Sequence, residues 1–201
     1  MSRQRPPVGA VRPPAAKPKG EVRIIGGQWK RSLLPVANLP GVRPTPDRVR
    51  ETLFNWLGQD LTGWRCADIF AGSGALGFEA ASRGAAHVLL VEQQSGLVQQ
   101  LLSVVQRLGA SAVKVERGDG VAALQRIAAS SLDLVLIDPP FESTRYEAAL
   151  QAAAAALRPA GFVYLEAPQL WAADALNALG LQLHRHLKAG AVHAHLLQRI
   201  A

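Results

Sequence analysis

A carboxylate, two prolines and an aromatic ring stand in a row at Asp138-Pro139-Pro140-Phe141. The run before them, Leu132 to Ile137, is almost wholly apolar and reads as a buried parallel strand. Consecutive prolines stop such a strand and remove two backbone donors from its end. What remains is a rigid corner of acceptors with a ring beside it. In open α/β sheets, ligands bind at the carboxyl ends of the strands. An acceptor-only corner next to a flat ring suits a planar group that carries an exocyclic amine. A nucleobase is such a group.

A second constellation lies upstream. Asp68-Ile69-Phe70-Ala71-Gly72-Ser73-Gly74-Ala75-Leu76-Gly77 reads as strand, glycine turn and helix start. The glycines let the backbone turn tightly and approach a ligand closely. Glu92 closes the next apolar run, Val88 to Val91, twenty positions after Gly72. A carboxylate there can accept both hydroxyls of a ribose. The glycine pattern alone also serves plain turns. With its strand context and Glu92 it points to an adenosine cofactor.

The elements that must position these residues follow from periodicity. From Cys66 onward strands alternate with helices. Strands are expected near 66–70, 87–92, 112–116, 132–137 and 161–166, and helices near 74–83, 94–108, 119–128, 143–157 and 170–178. This predicts a parallel sheet covered on both faces. The end differs. Leu181 to Leu187 alternates with period two, and Val192 to Ile200 is a further strand after a short turn at Gly190. Two strands joined this tightly are antiparallel. There are no internal repeats.

Upstream, Val22 to Val36 reads as a hairpin or extended arm carrying Arg23, Trp29, Lys30 and Arg31. Trp29 could stack on a base or anchor the arm to the core. Thr45 is placed to cap the following helix, with Pro46 at its first position and Val49, Leu53, Phe54 and Leu57 on one apolar face.

Length and charge bound the rest. At 201 residues the chain holds one well-cored domain and a small appendage. A hydrophobic content of 49% fits a soluble globular protein. No apolar run is long enough to span a membrane, and the basic N-terminus has no apolar h-region. Cys66 is the single cysteine, so no internal disulfide can form, and a reducing cytoplasm is the simplest compartment. Residues 1–50 hold 11 Lys/Arg against 2 Asp/Glu, while residues 51–201 hold 11 against 13. The excess of positive charge therefore belongs to one end, which suggests an arm for a polyanion on a near-neutral body. Residues 1–20, rich in Pro, Arg, Lys and Ala, are expected to be disordered.

Four histidines alternate on the two terminal strands. A two-residue turn at Ala189-Gly190 would set His186 opposite His193 and His184 opposite His195, all on one face. That pattern looks like a metal site, but the polar face of a hairpin accounts for it and no metal is called for.

Two adenosine cofactors compete. For NAD, the strand should run apolar straight into the first glycine. Here Asp68 lies four residues before Gly72. A carboxylate there can meet an amino-acid ammonium, which S-adenosylmethionine has and NAD lacks. No second domain remains for a hydride acceptor.

With these residues in place, the chain resembles a known family. The Arg43-Pro44-Thr45-x-Asp47-Arg48-Val49-Arg50-Glu51-Thr52-Leu53-Phe54-Asn55 helix, the Asp68–Gly77 turn and the Asp138-Pro139-Pro140-Phe141 corner together look like the RsmD-type 16S rRNA guanine-N2 methyltransferases. The likeness runs from about Arg23 to the C-terminus and includes the Lys188-Ala189-Gly190-x-Val192-His193 turn. It implies a Rossmann-like S-adenosylmethionine-dependent methyltransferase fold. That fold has a mainly parallel seven-stranded sheet, a C-terminal antiparallel hairpin and a small N-terminal hairpin arm. The expected division is a tail over 1–20, an arm over 21–45 and a catalytic domain over 46–201.

The resemblance also implies roles. Asp138, Pro139, Pro140 and Phe141 form the catalytic corner. Asp68, Phe70, Ala71, Gly72, Ser73 and Gly74 hold the methionine part of S-adenosylmethionine, and Glu92 holds its ribose. Asp119 receives the adenine amine, and it also reads as a helix N-cap. Thr45 and Arg43 lie near the junction of cofactor and RNA, with Arg23, Trp29, Lys30 and Arg31 along the RNA. The implied partner is 16S rRNA in an assembled or assembling small subunit, with a monomeric cytoplasmic enzyme and no membrane. An adenine-N6 or cytosine-N4 methyltransferase, a cofactor-binding RNA protein without turnover, and an NAD oxidoreductase remain alternatives.

Overall fold

The computed structural model describes residues 18–37, 45–140 and 144–200. Among them an N-terminal hairpin comes first, β1 (Pro18–Arg23) paired antiparallel with β2 (Leu33–Ala37). β1 begins inside the stretch expected to be a tail, because Pro18 and Gly20 pair with Ala37 and Val36. Residues 1–17 lie outside the described residues.

A seven-stranded sheet forms the body. Five strands run parallel: β3 (Arg65–Asp68), β4 (His87–Glu92), β5 (Val113–Arg117), β6 (Leu132–Ile137) and β7 (Leu157–Ala167). The antiparallel pair β8 (Leu181–Ala189) and β9 (Val192–Arg199) closes one edge, and the spatial order is β5-β4-β3-β6-β7-β9-β8. The chain therefore changes direction across the sheet between β3 and β6. A crevice for a ligand opens at such a switch point.

Helices cover both faces, as the alternation requires. α1 (Asp47–Trp56), α2 (Ala75–Ser82) and α3 (Ser95–Leu108) pack with the arm on one face. α4 (Gly120–Gln125), α5 (Tyr146–Ala156) and α6 (Ala173–Ala178) pack on the other. Every residue of β6 is consequently buried, and apart from Asp133, which accepts the Arg65 amide and pairs with Arg158, its sequence is apolar rather than alternating. In α3 the buried Leu97, Val98, Leu101 and Val104 recur at helical spacing, and Gly109, left-handed at φ 60°, ends the helix. Each such buried leucine contributes about 1.5–3 kcal/mol.

Four expectations need correction. Thr45 does not cap α1: Pro46 is the N-cap, no side chain caps it, and the Thr45 hydroxyl points elsewhere. Asp47 instead fills the first turn, where a carboxylate suits the helix dipole. α6 begins at Ala173 rather than near 170. The last parallel strand is longer than expected, beginning at Leu157. Finally, the terminal hairpin turns at Gly190-Ala191, so His186 pairs with His195 and His193 with Lys188. That is a shift of register by two, and it keeps side-chain parity. His184 falls in a bulge between Leu183 and Arg185 and leaves the other three, with its ring 5.5 Å from that of Phe162.

The arm is tied to the body through α2. Glu79, wholly buried, accepts the Ile25 and Gly26 amides at 2.8 and 2.7 Å. Ser82 accepts the Trp29 amide at 2.9 Å and donates to the Gly26 carbonyl at 2.6 Å. Arg50, also wholly buried, donates to the Arg23 carbonyl, the Thr45 carbonyl, Asp47 and Glu79.

Candidate active site

β3 and β6 are hydrogen-bonded neighbours, and each delivers a carboxylate to its carboxyl end. Asp68 is the last residue of β3, and Asp138 directly follows β6. The glycine turn follows β3, and the prolines follow β6. The two sequence constellations thus meet at the switch point.

Asp68 is 2% exposed and accepts the Gly77 amide on Oδ2 at 3.0 Å. Among the described residues no Lys, Arg or His forms an ion pair with it. Burial pushes its carboxyl up to about 7, and the charge of Glu92 adds to the rise. A buried carboxylate without a cation is a ready site for an ammonium.

The turn brings backbone donors past it. Gly74 is left-handed at φ 78° and precedes α2, whose Gly77 amide donates to Asp68. A Cβ on Gly74 would lie 2.6 Å from Phe78 and 2.7 Å from Leu101. At Gly77 a Cβ would meet Leu90 at 2.2 Å. Glycine is needed at both for close packing. Phe70 is partly buried against the second core cluster, while Ala71 and Ser73 are buried in the turn.

Glu92 accepts the Gly72 amide at 3.0 Å and the Gln94 amide at 2.8 Å. The ribose carboxylate expected from the sequence is therefore locked to the glycine turn. Asp119 does cap α4, accepting the Ala122 amide at 2.8 Å. It also pairs with Arg145 and accepts Gln93 at 3.0 Å, and these bonds hold its carboxyl down at about 2. Its acceptor positions are full, so an adenine amine reaches it only as Gln93 or Arg145 gives way.

Asp138 is half-buried. Burial, Glu166 and Asp68 all push its carboxyl above the usual carboxylate range. The Thr45 hydroxyl donates to its Oδ2 at 3.3 Å. Thr45 thus contacts the Asp138 corner rather than capping a helix. Pro139 is buried and Pro140 exposed. Phe141 and Arg43 lie outside the described residues.

Three groups here escaped the sequence reading. Glu166, 4% exposed, accepts the Tyr164 hydroxyl at 2.8 Å. Tyr146 keeps a buried hydroxyl with no hydrogen-bond partner among the described residues, and burial first, then the charges of Asp138 and Glu166, push its pKa up. Arg50 fixes the Thr45 backbone through its carbonyl at 3.2 Å. The strand alternation of β7 could have marked Glu166 as an inward carboxylate, because it shares parity with the buried Tyr164.

Of the residues expected to meet RNA, Lys30 and Arg31 are exposed at the arm's tip. Arg23 is exposed too, with its Nε 2.7 Å from Asp47. Trp29 is partly buried against the core, the anchoring role of the two weighed for it. The rings of His186, His193 and His195 cluster with centroids 5.1–6.3 Å apart. Among the described residues no set of three His, Cys, Asp or Glu side chains is arranged to hold a metal.

Comparison with known proteins agrees with this geometry. A model of the family described as Conserved hypothetical protein 95 matches residues 22–198. The protein named Ribosomal RNA small subunit methyltransferase D from Escherichia coli strain K12 is 40% identical over 187 residues, 90% of this chain and 92% of that one. The solved structure of yhhF from Escherichia coli superposes with a TM-score of 0.76 at 37% identity, covering 90% of this chain and 99% of that one. M. jannaschii TYW2 in complex with AdoMet, 14% identical, shares the fold alone, with a TM-score of 0.60 over 84% of this chain and 83% of that one. The Asp138 corner and the glycine turn lie within the matched span, and the chain belongs to the Conserved hypothetical protein 95 family.

Proposed function

We propose that this chain transfers a methyl group from S-adenosylmethionine to the exocyclic N2 amine of a guanine in 16S rRNA of the small ribosomal subunit. One observation carries the reading: Asp68 and Asp138 stand at the ends of adjacent parallel strands, one unpaired and buried, the other at an acceptor corner. The name of the 40% identical relative supports the substrate class.

The residues present fit the cofactor. Asp68 would take the ammonium, the Phe70–Gly74 turn and the α2 N-terminus the carboxylate, and Glu92 the ribose. When bound, S-adenosylmethionine supplies an electrophilic methyl on a sulfonium.

The chain's own groups act on the amine. Its nitrogen is a poor nucleophile because the lone pair is delocalised into the ring. The Asp138 carboxylate and the Pro139 carbonyl accept its two N–H groups and favour a more tetrahedral nitrogen with a free lone pair. Positive charge then grows on that nitrogen, and the Asp138 carboxylate offsets it. No strong base is needed beforehand, because the methylated ammonium loses its proton readily. Phe141 would stack on the base once it is splayed from its neighbours. Arg23, Lys30, Arg31 and Arg43 would hold phosphates.

The reading takes the enzyme as a cytoplasmic monomer acting on an assembled or assembling subunit. The test is incubation with labelled S-adenosylmethionine and either naked 16S rRNA or small subunits from cells lacking the enzyme, followed by nucleoside analysis. N2-methylguanosine in 16S rRNA is expected, more strongly from subunits. Label in N6-methyladenosine would move the substrate. No transfer would overturn the activity.

A further inference from the structure

A polar cleft of about 440 Å³ lies between the arm and α1, and none of its lining residues belongs to the Asp138 corner or the glycine turn. One wall is arm backbone, Ile25 to Gly27. Glu79 fixes that wall by accepting two of its amides, and Ser82 fixes it by donating to the Gly26 carbonyl. Glycine is required there. A Cβ on Gly27 would lie 1.8 Å from the Ser82 carbonyl oxygen, and one on Gly26 would lie 2.4 Å from Arg83 Nη2. The Arg83 side chain, 6% exposed, forms the floor, with its guanidinium carbon 4.8 Å from the centroid of the Phe54 ring. The other wall is α1 and the turn after it, which present Glu51, Asn55 and Gln59.

Hydrogen bonds within the cleft decide which groups are left for a ligand. Gln59 is left-handed at φ 66°, an uncommon conformation for a residue with a side chain. Its amide is engaged at both ends. Nε2 donates to Asn55 Oδ1 at 2.9 Å, and Oε1 accepts Arg83 Nη1 at 3.4 Å. Asn55, with its oxygen occupied, keeps both amide hydrogens for another acceptor. Among the described residues those hydrogens, the Glu51 carboxylate and the Lys30 ammonium have no side-chain hydrogen bond or ion pair. The cleft therefore offers a cation, a neutral donor pair and an acceptor-only group.

A nucleotide presents the complement of all three. Its phosphate suits Lys30, and the Watson–Crick edge of its base sets a donor beside an acceptor. Glu51 and Asn55 are four residues apart on α1, with Cβ atoms about 5–6 Å apart, so both reach one base edge. A lone anion would use Lys30 and be repelled by Glu51. The cleft is also within reach of the same strand as the target base. Thr45, which touches Asp138, leads into α1, and Asn55 lies on the order of 15 Å further along at the rise of a helix. At about 3.4 Å per stacked nucleotide, a strand crosses that distance in a few positions.

We propose that this cleft is a second nucleotide site, which takes one nucleotide of the RNA a few positions from the target guanine: Lys30 binds its phosphate, Asn55 donates to its base edge and Glu51 accepts from it. The inference rests on the RNA methyltransferase reading and gives the substrate an anchor away from the Asp138 corner. Because every base has such an edge, the site holds the strand without choosing its sequence.

The test uses the full chain with Lys30→Ala, Glu51→Gln and Asn55→Ala, beside Lys114→Ala on the far strand β5 as control. Affinity for naked 16S rRNA is measured against salt, and KM and kcat with small subunits. Each of the three cleft variants is expected to weaken RNA binding by about fivefold or more, with the loss in KM rather than kcat. Lys30→Ala should also lower the slope of log affinity against log salt by about one, and Asn55→Ala should leave the slope alone. Glu51→Gln is the decisive variant. It removes a negative charge, so a merely electrostatic surface would bind RNA more tightly, whereas loss of a base contact weakens it. A second readout needs no ribosomal RNA. With S-adenosylmethionine present, cytidine 5′-monophosphate should shift the NMR signals of the Asn55 side-chain amide and of the Gly26 and Gly27 amides, and inorganic phosphate should not. RNA binding by Glu51→Gln as tight as that of the wild type would overturn the proposal. So would equal shifts with phosphate and the nucleotide. Nucleotide shifts at the cleft in a wild type that methylates no RNA would overturn the methyltransferase reading and leave the nucleotide site standing.

Discussion

Arg50 and Glu79 meet with 3.4 Å between Nη1 and Oε2, and neither side chain exposes any surface. Around this pair the arm, α1 and α2 are joined, because Glu79 also holds two arm amides and Arg83 at 2.9 Å. Removing one partner of a buried pair strands the other. Glu79→Ala should therefore cost about 3–5 kcal/mol of stability, far above the 0–1 kcal/mol of a surface ion pair. Denaturant unfolding measures the loss, and hydrogen exchange at Ile25 and Gly26 locates it. A loss under about 1 kcal/mol, with those amides still protected, would refute the hub.

The glycine turn gives a paired prediction. Gly72 and Gly74 are both left-handed, at φ 52° and 78°. A Cβ on Gly72 would find only the Phe70 carbonyl at 3.9 Å, whereas one on Gly74 would strike Phe78 and Leu101 below 3 Å. Gly72→Ala should cost about 1–2 kcal/mol of backbone strain. Gly74→Ala should cost more and weaken S-adenosylmethionine binding by moving the first amides of α2. Equal costs for the two, with cofactor affinity unchanged in Gly74→Ala, would show that this turn does not shape the cofactor site.

Much of this was legible in the chain because local physics set it. The apolar run before Asp138 had to be a doubly covered strand, and the prolines had to end it. Asp68, the glycines and Glu92 sit where alternation of strands and helices puts them. The contacts that alternation does not encode were harder to see. Thr45 looked like a helix cap, since its type and place before Pro46 suit one. The Arg50 hydrogen bond to its carbonyl and the nearby Asp138 decide otherwise. Arg50 lies one helical turn from Leu53 and Phe54 and two from Leu57, yet a charge on an apolar face gives no hint of its partner. The histidine register failed by two residues because turn position, not side-chain parity, fixes it.

Asp68 makes binding depend on pH. Its carboxyl ordinarily titrates near 3.8 and is raised to about 7 in the fold by burial. A folded value above the unfolded one gives stability that is full below about 4 and is lost as pH rises through about 7. The protein without cofactor should therefore lose stability across that window, and Asp68→Asn should lose less. Asp138 and Glu166 are raised as well and act with the same sign, so the difference between wild type and Asp68→Asn isolates Asp68. An ammonium ligand prefers the ionised acid. S-adenosylmethionine affinity should climb with pH up to about 7, by at most tenfold per unit, and level off above. Calorimetric titration across this range measures it. Affinity that is flat from about pH 5.5 to 8 would remove Asp68 from the ammonium site.

Asp138 separates chemistry from binding. Asp138→Ala removes the acceptor for the amine and frees the Thr45 hydroxyl, but Asp138 makes no hydrogen bond to Asp68, Glu92 or the glycine turn. The rate of transfer should fall by about a hundredfold or more, as for loss of one preorganised partner of a developing charge. Cofactor affinity should stay within about threefold. Asp138→Asn tests the same point more finely, since it keeps the shape and replaces one acceptor oxygen by a donor. It should be as slow as the alanine variant. It should also be at least as stable as the wild type near pH 8, where an acid with a raised folded pKa is a burden to the fold. Inactivity with preserved stability then cannot be misfolding. Single-turnover rates, calorimetric binding and denaturant unfolding on the same preparations decide the matter. Near-normal turnover in either variant would sink the mechanism.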